Sequence, residues 1–83
     1  ELLSATDAMV DGKAHLADVN EALHSDLPED EHETVAGLVS ALAGHIPAPG
    51  DIINCGLVQF IVQEGDEQQV ERVRVIVQPK GSD

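Results

Sequence analysis

Pro47 and Pro49 constrain this chain more than any other feature, because they separate two stretches with different hydrophobic periods. Neither residue can continue a helix: proline lacks the backbone donor and its ring clashes with the preceding turn. Upstream, Val35, Leu38, Val39 and Leu42 recur at helical spacing. From Asp51 onward the period falls to two. Val58, Phe60 and Val62 alternate with Gln59, Ile61 and Gln63, and Val70, Val73, Val75 and Val77 follow, with Arg72 and Arg74 between them. A helix with one apolar stripe and a sheet with one apolar face must cover each other.

The remaining signals fill in this plan. Ala8–Gly12 is a short strand closed by an Asp-Gly turn. Leu16–His24 is a short helix that carries Leu16, Val19 and Leu23 on one side. It ends before Leu27-Pro28, because the residue preceding proline avoids the helical region. Asp30 is the expected N-cap of the second helix, with Glu33 three residues on completing a capping box. Gly44 is its expected C-cap, and Gly37 permits close packing. Ile52-Ile53 opens a strand that ends in the tight turn Asn54-Cys55-Gly56, and Gly65-Asp66 turns the chain again. Three consecutive strands with short connections pair as an antiparallel meander. The expected fold is therefore α+β, a small two-layer sandwich in the order β-α-α-β-β-β. Its sheet is mainly antiparallel and its helices lie on one face. The domain should run over residues 8–78, after a linker (residues 1–7) from an upstream region and before a disordered tail (residues 79–83). The linker-like start without methionine reads as a piece of a longer protein.

Composition limits the function. With 83 residues, the chain buries only about 60–65% of its unfolded surface. Phe60 is the only aromatic residue, so the core is aliphatic and offers bases or sugars no stacking platform. Sixteen acidic residues face Lys13, Arg72, Arg74 and Lys80, a formal charge of −12. That balance excludes nucleic acid as a partner and opposes adsorption to anionic lipid. It suits a partner with a basic surface, or divalent cations. Cys55 is alone, so no internal disulfide forms and a reducing compartment is expected. No apolar run approaches the roughly 18–20 residues that span a membrane.

Several groups are candidate sites. Asp26, Glu29, Asp30 and Glu33, with Glu31 and His32 among them, can supply carboxylate oxygens to a hard divalent cation. They lack the spacing and glycine of a calcium loop, and helix N-termini gather acids for electrostatic reasons alone. His15, His24, His32 and His45 match no short metal motif. Cys55 lies in an acidic chain, not the electropositive setting a reactive thiol needs. No nucleophile elbow, P-loop or dinucleotide fingerprint occurs, so no enzyme activity is expected. Arg72 and Arg74 lie on one face of a strand, where they can hold a phosphate or a partner's carboxylate, or pair with acids such as Glu64. Ile61 and Ile76 are out of phase with the core-facing residues of their strands. On a sheet with one free face they form, with Arg72 and Arg74, a patch suited to docking against another domain or a second copy.

The order of these signals resembles the transporter-associated domain, also called the CorC/HlyC domain. A strand ending Val10-Asp11-Gly12 precedes a helix with Leu16, Val19 and Asn20. Leu27-Pro28 and an acidic stretch lead to Thr34-Val35-Ala36-Gly37-Leu38-Val39, then His45-Ile46-Pro47 and Pro49-Gly50-Asp51. Phe60-Ile61-Val62 and Val70 through Val75 complete a series that spans Thr6 to Gln78. The resemblance implies the C-terminal domain of a longer bacterial protein, following a pair of CBS domains and in many members an N-terminal membrane domain. It implies a role in magnesium and cobalt efflux, modulating transport from the cytoplasmic side. Some members are called hemolysin-like. The fold is similar to part of a flavin-binding fold, so FAD or an adenine nucleotide is an implied alternative ligand, with Arg72 and Arg74 as phosphate contacts. The family commonly has an acidic residue or glycine where this chain has Asn54-Cys55-Gly56, and no role carries over to Cys55.

Overall fold

The computed structural model describes residues 6–78. Its elements are β1 (Asp7–Asp11), α1 (Leu16–Leu23), α2 (Val35–Ala43), β2 (Ile52–Cys55), β3 (Val58–Gly65) and β4 (Val70–Val77). The fold is α+β, with the expected element order. All neighbouring strands are antiparallel, and they lie in the order β1-β4-β3-β2. The three C-terminal strands form the meander, and β1 returns to pair with β4 on its other side. Residues 1–5 of the expected linker and the expected tail at 79–83 lie outside the described residues; Asp7 already belongs to β1.

Both helices cover the same sheet face. α1 contributes Leu16, Val19 and Leu23, and α2 contributes Val35, Leu38 and Val39. They meet Ala8, Ile53, Val58, Phe60, Val62, Val70, Val73 and Val75 in one buried cluster. Each of the leucine, valine, isoleucine and phenylalanine side chains stabilises the fold by about 1.5–3 kcal/mol when fully buried.

The start of α2 differs from expectation. Thr34, not Asp30, is the N-cap, and its Oγ1 accepts the Gly37 N–H at 3.2 Å. The residues after Pro28 form a separate turn, with the N–H groups of Glu31 and His32 both donating to the Pro28 carbonyl. The chain is then pinned at the helix starts: Leu16 donates to Glu33 O, and Val35 donates to Ala14 O. These bonds hold residues 33–34 extended, so helix begins only at Val35. Gly37 is exposed, and the close approach it allows is to the capping hydroxyl: a Cβ there would lie 3.3 Å from Thr34 Oγ1.

Gly12 does more than turn the chain. A Cβ at this position would lie 2.1 Å from the Val70 carbonyl oxygen, so any side chain would displace the end of β4. Its N–H donates to Glu71 O and its carbonyl accepts Ala36 N–H, joining β1, β4 and α2 at one point. At the other end, α2 stops at Gly44 and the chain passes a fully buried Pro47. Asp51 then closes the turn, its Oδ2 accepting the Ala48 N–H at 2.9 Å.

Candidate functional site

The two helices lie on one face of the sheet, and strand register determines what the other face displays among the described residues. Three cross-strand rows lie on it. The first is Asp11, Arg72 and Glu64; the second is Met9, Arg74, Ile61 and Ile52; the third is Asp7, Ile76, Gln59 and Asn54. Ile61, Ile76, Arg72 and Arg74 therefore share this outer face. Ile61 stands opposite Arg74, and Ile76 stands between Asp7 and Gln59. Ile61 and Ile76 are half-buried yet lie outside the hydrophobic core cluster.

The two arginines differ. Arg74 donates from one terminal nitrogen to Asp7 Oδ2 at 2.8 Å. That hydrogen bond holds the Asp7 carboxyl below its ordinary range. Arg74 Nε is enclosed without an acceptor among the described residues. Arg72 is exposed, registered between Asp11 and Glu64, and makes no ion pair among the described residues. An incoming phosphate would meet carboxylates beside each guanidinium, whereas a protein surface with its own mixed charges can match this pattern.

The acidic segment is organised around Asn20, a residue whose role periodicity did not reveal. Asn20 Oδ1 accepts from Ser25 Oγ at 2.7 Å and from Leu27 N at 2.8 Å. Its Nδ2 donates to Leu27 O at 3.1 Å and to Glu29 Oε2 at 2.8 Å. One side chain thus shapes the connection from α1 toward Pro28 and occupies a Glu29 oxygen. Glu33 lies 3.5 Å from His15 Nε2. Glu29, Asp30 and Glu33 line one groove with His15 and His32, and Asp26 lines another; among the described residues no three His, Cys, Asp or Glu side chains are grouped so as to hold a metal ion.

Phe60 has no exposed surface, so no aromatic ring is offered to a flavin or adenine. Cys55 ends β2, half-buried against the core, and His24 caps α1 in the left-handed conformation. Among the described residues no helix is long and apolar enough to cross a membrane.

Residues 3–79 match the family model of the transporter associated domain, CorC_HlyC. The UPF0053 inner membrane protein YoaE of Escherichia coli K12 is 36% identical over 55 residues, covering 66% of this chain and 11% of that protein. The magnesium and cobalt efflux protein CorC of the same strain is 36% identical over 62 residues, covering 75% of this chain and 21% of that protein. This chain thus spans only a small part of these relatives. The solved transporter associated domain from a CBS domain protein of Porphyromonas gingivalis has a TM-score of 0.80 at 21% identity, covering 95% of this chain and 97% of that one.

Proposed function

This chain belongs to the transporter associated domain (CorC_HlyC) family, and from that premise we propose that it is a non-catalytic regulatory and interaction domain of a divalent-cation transport or efflux protein. In this reading it lies on the cytoplasmic side, beside CBS domains and a membrane domain of the same protein. Its outer sheet face docks onto one of them, or onto a second copy, and biases the transporter between conformations. A ligand can shift such an equilibrium only through different contacts with the two states, so the docked and undocked forms of this face are the regulatory variable.

The observation that carries the reading is the composition of the outer face. Half-buried Ile61 and Ile76 flank the Arg74–Asp7 ion pair, with Arg72 beside Glu64. Apolar anchors among matched charges fit a transient protein interface better than a small-molecule pocket. The test is magnesium and cobalt efflux by a full-length protein carrying this domain. Ile61→Asp combined with Ile76→Asp should change efflux while the amount of protein in the membrane stays constant. Unchanged efflux at normal protein level would overturn the reading.

A further inference from the structure

β2 is an outer strand of the sheet, and among the described residues no strand pairs with its other side. Its two-residue connection pairs Cys55 with Val58 and Ile53 with Phe60, and Val62 N–H donates to Asp51 O at 3.0 Å. Residues 51, 53 and 55 therefore direct their backbone polar groups toward β3. Ile52 and Asn54, both exposed, direct theirs outward. Protein sheets commonly protect such edges with charged residues, proline or a bulge. The opposite edge strand, β1, carries Asp7 and Asp11; β2 consists of four uncharged residues. Its own Ile52 is 56% exposed, and Leu42, which lines a groove with it, is 48% exposed.

Charge says what covers this edge. Asp51 lines the groove at the start of β2, and Asp26 lines a groove with Cys55 and Gly56 at its end. No lysine or arginine occurs from residue 14 to residue 71; Lys13, Arg72 and Arg74 all belong to the β1–β4 side. We propose that β2 accepts an extended segment of a partner polypeptide as a fifth, antiparallel strand. That segment carries lysine or arginine at two positions about four residues apart, with apolar and small polar residues between them, because a four-residue strand spans roughly 13 Å at its ordinary rise. The cations meet Asp51 and Asp26, and the backbone pairs with Ile52 and Asn54. A second copy is the poorer occupant, since two chains of charge −12 repel. This contact uses the backbone edge of β2, where the outer face ends, and does not depend on the docking proposed for Ile61, Ile76 and the arginines.

The test uses the 83-residue chain with two labelled pentapeptides, Lys-Val-Thr-Val-Lys and Glu-Val-Thr-Val-Glu, read by fluorescence anisotropy and by amide hydrogen exchange. The lysine peptide should slow exchange at Ile52 and Asn54 by about tenfold or more, and the glutamate peptide should not. Asn54→Pro removes an outward donor without touching the β2–β3 ladder, and should weaken lysine-peptide binding about tenfold. The Ile76→Ser chain, altered on β4 with β3 between it and β2 and with no change of charge, should bind this peptide as the parent does, which separates failure here from failure of the outer-face reading. Equal binding of the two peptides, or no protection at millimolar peptide, would overturn the proposal. So would protection of Ile52 and Asn54 that rises with protein concentration alone, since a second copy would then occupy the edge.

Discussion

On the inner side of the sheet, Phe60, Val62, Val73 and Val75 are enclosed by two helices. On the outer side, the same two strands present Ile61, Arg72, Arg74 and Ile76, exposed or half-buried, with no helix over them among the described residues. The strands alternate strictly enough that neighbours in sequence serve different ends. The inner residues hold a small aliphatic core together. The outer ones combine apolar surface with matched charge, which a core does not need and an interface uses.

Phe60 and Ile61 give the most severe way to break that comparison. Phe60→Ala should cost about 3–5 kcal/mol, enough to unfold much of a domain this small. Ile61→Ala should cost roughly 1 kcal/mol, since only part of its surface is removed from water. Urea denaturation of the two variants measures the difference, and similar losses would mean that the outer face is structural. Asn20→Ala should come next, at about 1–3 kcal/mol, because it leaves the Leu27 N–H and the Ser25 hydroxyl without their acceptor. It should also raise amide exchange in residues 25–29. Thr34→Ala should cost about 1 kcal/mol through the lost cap, whereas Asp30→Ala should be nearly neutral.

The smallest effect is electrostatic. The Arg74 hydrogen bond lowers the Asp7 pKa from its ordinary 3.8, and the Gln68 and Gln69 N–H groups lower that of Asp66. A lowered carboxyl favours the folded state above its ordinary pKa, and that contribution is lost as pH falls through the folded value. Asp7→Asn should therefore flatten the decline in melting temperature below about pH 4, and leave Ile61 and Ile76 in place on the outer face. An unchanged acid limb would mean that the Arg74 pair adds nothing at the surface.

Much of this molecule was legible in its sequence, for physical reasons. Period-two alternation identified β3 and β4 and put Ile61 and Ile76 on the face away from Phe60, since side-chain direction in a strand is local geometry. The double proline and Gly44 located the end of α2. The cap at Thr34 was missed because Asp30 and Glu33 satisfy the same pattern, and the backbone bonds that delay the helix come from Ala14 and Leu16, far back in the chain. Pairing of β1 with β4 and the contact of Gly12 with Val70 are likewise long-range, and the Asp-Gly signal announced only a turn. Asn20 looked like one polar residue on a helix; its four hydrogen bonds depend on where the following loop runs. Spacing in the acidic run likewise could not show that Glu29 is held by Asn20 or that Glu33 faces His15, since both partners come from the α1 region.

The central claim is that the inner face makes the fold and the outer face makes the contact. The most direct measurement is calorimetric binding of this 83-residue chain to the CBS and membrane domains of the transport protein proposed to carry it, for the parent and for Ile61→Asp/Ile76→Asp. The account predicts a variant that melts cooperatively within a few degrees of the parent, yet binds at least about tenfold more weakly. A variant that folds normally and binds as tightly as the parent would contradict it.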